Sequence, residues 1–205
     1  MKKVCYTVIT NGYDSLKEPL VVTEGWSYVC FTDDPTLKSD VWEIVPFTEH
    51  NRKVKILGHK YFDGVTVYVD GSFIIKMDLN ILLCQIPSVF SIVKHPKRNC
   101  IYEELQYLSK QGIVNSNVAA EQCARYRHGD FPAGYGLGEH GIMIRDFGSK
   151  QVREVCQLWW EEFLTGVQRD QASLSYCFWK TRMSPYYIER GIRNKFFKKN
   201  KHAER

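Results

Sequence analysis

The sequence predicts an α/β domain, with a mixed, mostly parallel central sheet flanked by helices and a helical C-terminal portion. Three observations predict it. Strand-like and helix-like stretches alternate through the first half of the chain, and helical periodicity dominates the second. The run Val65-Thr66-Val67-Tyr68-Val69 is apolar on nearly both faces, as an interior strand of a parallel sheet is. Several strand-like runs end in small polar or acidic residues, where open α/β sheets bind their ligands.

Residues 3–10 alternate as a strand and stop at the turn formers Asn11-Gly12. Residues 27–32 form a second strand ending in Asp33-Asp34-Pro35, and residues 41–47 a third. Residues 51–62 have helical spacing, with Val54, Leu57 and Tyr61 on one side and Arg52, Lys55 and His59 on another. The apolar strand 65–69 then runs into Asp70-Gly71-Ser72, and residues 73–75 continue as an extended piece. Asp78 is placed to cap a helix that Pro87 terminates. Residues 89–93 are a further strand, ending in Lys94-His95-Pro96. Helices are expected over 99–111 and 115–127, then a glycine-rich loop over 129–141 and a strand over 141–145. An amphipathic helix over 151–164 and another over 169–180 follow. The expected division is one domain over 1–185 and an aromatic and basic helix and tail over 186–205.

At 205 residues, with 44% hydrophobic and 25% charged residues, the chain can bury a full core. The segment 193–205 holds six basic residues and one acid, which alone accounts for the net charge of +5. The body is therefore neutral overall, and a nucleic-acid-binding role is not expected. The seven cysteines include no C-x-x-C pair and sit mostly in apolar patterns, as buried thiols of a reducing compartment do. No secretory leader opens the sequence and no apolar run reaches the about 20 residues of a membrane span, so the expected location is cytoplasmic.

Read from the residues, the chemistry-bearing groups fall at strand ends. Thr10 and Asn11 end the first strand, Asp33 the second, and Asp70 and Ser72 the central one. A nucleoside diphosphate needs hydrogen-bonding partners for base and ribose, and positive charge or a divalent ion for its phosphates. Thr10, Asn11, Asp33, Arg52 and Lys55 offer the first set, and Asp70 with Ser72 the second. Asp-Gly is also a common turn former, so Asp70 alone does not decide between ligand and turn. Asp170 and Glu139 are carboxylates suited to acceptor activation or to stabilising an oxocarbenium-like state. Asp170 equally fits a helix cap. His95, at a strand end, and Gln171, beside Asp170, are candidate contacts to phosphate or acceptor. Arg145 ends an apolar strand and is expected to pair with a buried carboxylate.

Asp70-Gly71-Ser72 after a hydrophobic strand resembles the D-x-D metal motif of GT-A glycosyltransferases. Arg169-Asp170-Gln171 resembles the Asp-Gln element of glycogenin-like enzymes. These pieces, with Lys94-His95-Pro96, Gly136-Leu137-Gly138-Glu139, Ile142-Met143-Ile144-Arg145 and Trp159-Trp160-Glu161-Glu162, resemble in order the glycosyltransferase-like domain shared by plant Golgi and bacterial proteins. The resemblance implies a GT-A-like (Rossmann-like) fold, a nucleotide-sugar donor, a glycan or lipid-linked acceptor, and Mn²⁺ or Mg²⁺ at Asp70 and Ser72. It also implies a role in polysaccharide biosynthesis. Ser72 stands where the motif has a second Asp, and no H-x-x-G-x-x-K element occurs near the C-terminus, where His202 lies in a basic tail.

Two other classes remain open. One is a carbohydrate- or nucleotide-binding domain without catalysis; the other is a hydrolase of a lipid or glycan. The aromatic and basic residues after Tyr186 suggest contact with an anionic membrane surface, which would place the protein at the inner face of a membrane.

Overall fold

The computed structural model describes residues 2–200. Nine strands and seven α-helices follow the expected alternation among these residues. The central sheet takes β1 (Lys3–Ile9), β2 (Ser27–Thr32), β3 (Glu43–Pro46), β4 (Val65–Val69), β6 (Phe90–Lys94), β7 (Gly138–Asp146) and β8 (Tyr186–Ile188). Their order is β3-β2-β1-β4-β7-β6-β8. Strand β7 alone runs against the others, pairing antiparallel with β4 and β6. The sheet is thus mixed and mostly parallel. A small sheet pairs β5 (Phe73–Ile75) with β9 (Phe197–Lys199).

The alternation of side chains along β1 sends Val4, Tyr6 and Val8 to one apolar layer and Cys5 and Ile9 to the other. The first layer is closed by α1 (Asn51–Ile56), α5 (Lys150–Thr165) and α6 (Leu174–Lys180), through Val54, Val155, Trp159 and Phe178. The second is closed by α2 (Leu79–Cys84) and by Phe196 and Phe197 from the end of α7 (Arg190–Phe196) and the start of β9. A third cluster joins α3 (Ile101–Lys110) to α4 (Ser116–His128), with Tyr126 stacked on Tyr176 at 4.0 Å.

Local chemistry explains most boundaries. Asp78 accepts hydrogen bonds from Asn80 N and Ile81 N and caps α2; Asn115 does the same for α4. The helix expected over 51–62 ends at Ile56 and becomes a 3₁₀ turn at Gly58–Lys60. A side chain at Gly58 would meet the Tyr6 hydroxyl and the Phe147 ring, so the chain turns there against the core. The glycine-rich segment is shorter than expected: β7 begins at Gly138, which moves Glu139 from a loop to a strand. Residues 169–180 split into a 3₁₀ turn at Asp170–Ala172 and α6.

The C-terminal segment also differs from expectation. Tyr186–Ile188 adds a strand to the central sheet, and Phe197–Lys199 pairs with β5. Ile188, Phe196 and Phe197 are buried, so this segment does not display them to a membrane. Lys201, His202 and Arg205 of the expected tail lie outside the described residues. No helix among the described residues is long and apolar enough to cross a membrane. All seven cysteines are free thiols, and Cys5, Cys30, Cys100, Cys156 and Cys177 are buried.

Among the described residues Arg145 pairs with no carboxylate, contrary to expectation. It is fully buried and donates to Ile56 O at 3.1 Å, to Lys55 O at 2.7 Å and to the Tyr6 hydroxyl. It thereby satisfies carbonyls that the end of α1 leaves without partners, at the negative end of the helix dipole. The Phe147 ring, 4.9 Å away, faces the guanidinium. Arg145→Met is expected to lower stability by about 2–4 kcal/mol, because buried carbonyls lose their donors. Urea unfolding with an unchanged midpoint would refute this.

Candidate functional site

Strand order reverses between β1 and β4: β2 and β3 lie to one side of β1, while later strands build out from β4. In open sheets this reversal opens a crevice beyond the strand ends. Two adjoining cavities occupy it, of about 190 and 210 Å³. Thr10 and Tyr13 follow β1, and Asp70, Gly71 and Ser72 follow β4. Arg52 and Lys55 come from α1, Glu139, His140 and Gly141 from the reversed strand β7, and Arg169, Asp170 and Gln171 from the turn before α6. The reversal of β7 puts its N-terminal end beside Asp70, whose N–H donates to Gly141 O at 2.8 Å.

Asp170 is the electrostatic centre. Its carboxylate is buried, with Lys55 Nζ at 2.5 Å, Arg52 Nε at 3.6 Å and His140 Nδ1 at 3.9 Å. Its backbone carbonyl accepts from Trp159 Nε1 at 2.9 Å. Asp170 caps no helix; the 3₁₀ turn leaves its side chain to the cations. Burial alone would raise its carboxyl, but Lys55 and then Arg52 outweigh burial and hold it far below the usual carboxylate range. Burial lowers Lys55, and the Asp170 charge opposes that shift. Burial also pushes His140 down to about 3, only partly countered by Asp170, so its imidazole is neutral at pH 7. A carboxyl held this low is a poor proton acceptor but a durable negative charge.

Asp70 both closes a turn and lines the crevice. Its carbonyl accepts from Phe73 N at 2.9 Å, closing a turn, and its Oδ1 accepts from Ser72 N at 3.3 Å and Ser72 Oγ at 3.0 Å. Gly71 is required there, since a side chain would come within 2.9 Å of Asp14 Cβ. The end of β9 supports the same turn, with Asn200 N donating to Ser72 O at 2.7 Å. No group of three or more acidic, histidine or cysteine side chains suited to a metal ion occurs among the described residues. The oxygen donors at this turn are the Asp70 carboxylate, the Ser72 hydroxyl and the neighbouring Asp14 carboxylate. They fit an Mg²⁺ or Mn²⁺ ion shared with phosphate oxygens, not a cage made by protein alone.

The remaining expected residues divide. Thr10, Arg52, Lys55, Glu139 and Gln171 line this crevice, and Gln171 Nε2 donates to Gly138 O at 3.0 Å. Asn11 and Asp33 do not line the two cavities. They are exposed, and the Asp33 carboxylate accepts from Asn11 N at 2.9 Å, holding the ends of β1 and β2 together. His95 is set apart: it lines a different cavity, with Lys94 and Arg98, and its Nδ1 accepts from Arg98 N at 2.9 Å to brace a turn. His59 packs edge-on against Phe147. Trp160 stacks on Phe163. The residues that sequence reasoning missed are Tyr13, Arg169, His140 and Lys199. His140 carries no clear signal, because the β6–β7 ladder is irregular between Glu139 and Met143 and His140 packs edge-on against Trp159, in the layer opposite Ile142 and Ile144.

The Asp170–Lys55 pair makes a stability prediction. Asp170→Asn or Lys55→Met alone is expected to cost about 3–5 kcal/mol, because each strands a buried charge, and the double variant is expected to lose less than the sum. The folded carboxyl lies below its unfolded value, so its contribution is present above about pH 4 and fades as pH falls further. Asp170→Asn should flatten that acid limb in pH-dependent urea unfolding. Additive losses and an unaltered limb would refute the pairing.

Comparison with known proteins places this geometry. Mouse xyloside xylosyltransferase 1, in its apo form, superposes with a TM-score of 0.53 over 92% of this chain and 85% of that one, at 9% identity. The likeness is one of fold. The apo bifunctional glycosyltransferase WbbM superposes with a TM-score of 0.49 over 91% of this chain and 38% of that one, at 10% identity. No curated protein matches the sequence. The family model described as "TOD1/MUCI70, glycosyltransferase-like domain" matches residues 40–202, a span running from before β3 through β9 and holding all of the crevice except Thr10, Tyr13 and their neighbours at the end of β1. The chain belongs to the TOD1/MUCI70 family of glycosyltransferase-like domains, and its fold is GT-A-like.

Proposed function

We propose that this domain transfers a sugar from a nucleotide-diphosphate donor to a glycan or lipid-linked acceptor. The observation that carries the reading is the meeting of Asp70 and Asp170, 100 positions apart in sequence, across one crevice at the strand-order reversal. On this reading the nucleotide lies towards Thr10, with Asn11 and Asp33 fixing the rim, and the diphosphate lies near Asp70 and Ser72. Asp70 and Ser72 would hold a Mg²⁺ or Mn²⁺ ion, which would offset charge developing on the leaving diphosphate. Arg52 and Arg169, which line both cavities, add positive charge from the protein itself. The persistent charge of Asp170 faces the space where an oxocarbenium-like sugar would form. Neutral His140 can donate or accept a hydrogen bond to a sugar hydroxyl without adding charge.

A thermal-shift screen of uridine, guanosine, cytidine and thymidine diphosphate sugars with Mn²⁺ tests the donor. A bound donor at 100 times its Kd should add about 2.7 kcal/mol of stability. Asp70→Ala is expected to abolish the Mn²⁺-dependent part of the shift while leaving the unliganded midpoint within a few degrees. Silence across all donors would refute the reading, and an unchanged shift in Asp70→Ala would refute the ion. In release of sugar from the hit donor, Asp170→Asn is expected to lower kcat by about 100-fold or more. Affinity without turnover in the parent chain would favour a binding domain instead.

A further inference from the structure

A third cavity, of about 380 Å³, opens beside the crevice and shares Glu139 and Lys199 with it. Its character is different. Lys76, Arg190, Arg193, Lys198 and Lys199 line it, with Glu139 as its single acid. Lys198, Lys199 and Arg190 are exposed, but Arg193 is buried, at 3% exposure. Its Nε has no hydrogen-bond partner, and the buried Glu139 Oε2 likewise accepts none. Arg193 Nη2 stands 3.9 Å from that oxygen, beyond hydrogen-bonding distance, and Lys199 Nζ is 3.5 Å from Oε1.

Burying a guanidinium N–H and a carboxylate oxygen without hydrogen bonds is costly, so such atoms mark a place where a ligand completes the set. The two have opposite needs. Within their loose ion pair, Arg193 Nε lacks an acceptor and Glu139 Oε2 lacks a donor. A group that presents an oxyanion beside a free hydroxyl supplies both at once, and the surrounding lysines favour the negative charge. We propose that this cavity is an acceptor subsite for an anionic sugar, one bearing a phosphate or a carboxylate next to a hydroxyl. Calling it an acceptor subsite rests on the glycosyl-transfer reading above; its preference for a sugar anion does not. Glu139, on the wall common to both cavities, positions the acceptor against the reacting crevice.

Titration calorimetry on the full chain separates the components, using glucose 6-phosphate, glucuronate, inorganic phosphate and glucose. Both sugar anions are expected to bind, and glucose to give no heat at the same concentration. Arg193→Gln should weaken the sugar anions about tenfold. Lys198→Glu, at an exposed position, should weaken them several-fold and keeps the test valid if the Arg193 variant does not fold. Glu139→Gln should reduce the preference for sugar anions over inorganic phosphate. Equal binding of glucose and the anions, or no heat from either sugar anion at millimolar concentration, would overturn the proposal. So would binding unaltered by Lys198→Glu. A preference unaltered in Glu139→Gln would reduce the cavity to a plain phosphate site and overturn it too. Nucleotide-sugar shifts measured in Lys198→Glu separate the two readings: anion binding with no donor shift in any variant sinks the donor reading and leaves the subsite. A donor shift without anion binding does the reverse.

Discussion

Lys55 is held at both ends, and the candidate site depends on it. Its backbone carbonyl accepts from the buried Arg145 guanidinium, and its ammonium meets the buried Asp170 carboxylate. Between these anchors its stem lies over the Tyr68 ring, with Nζ 5.0 Å from the centroid. Arg145 belongs to β7, Tyr68 to β4 and Asp170 to the turn before α6. One residue therefore ties α1 to two strands and to the far end of the chain. Neither charge could be buried alone, and the attraction that offsets desolvation also fixes where α1 sits over the crevice.

The same pair sets the chemistry. A carboxylate kept ionised by two cations is a fixed electrostatic feature and not a titrating base, and the neutral His140 beside it adds polarity without charge. Asp70 accepts from Ser72, and Arg52 and Lys55 feel its charge as well as that of Asp170. The two acids thus differ in environment, one buried against two cations and one at a turn held by a hydroxyl, and different environments are how similar groups take different roles. Strand β9 completes the arrangement, bracing the Asp70 turn and carrying Lys199 to the boundary of the basic cavity.

Much of this was legible in the sequence. Strand β4 could be read from Val65 to Val69 because a strand buried on both faces is apolar in nearly every position. Asp78 announced its helix because a capping side chain acts within three residues. Asp70, Arg52 and Lys55 could be named because strand ends and helix faces are local properties. The readings that failed depended on distant partners. Arg145 was assigned a carboxylate and found helix carbonyls. Ile188, Phe196 and Phe197 looked like part of a surface segment and are core, while Tyr186 and Tyr187 are half-buried.

The sequence by itself determined the α/β alternation, the places where strands end in reactive groups, and the order of motifs that marks the family, since each is encoded by neighbours within a few positions. Only the tertiary structure decided that β7 runs backwards beside β4, that Lys55 and Arg52 gather around Asp170, and that Arg193 and Glu139 line one cavity. The physical reason is the range of the forces. Periodicity and capping act along the chain, whereas desolvation and Coulomb pairing depend on what is brought within a few ångströms through space, whatever its distance in sequence.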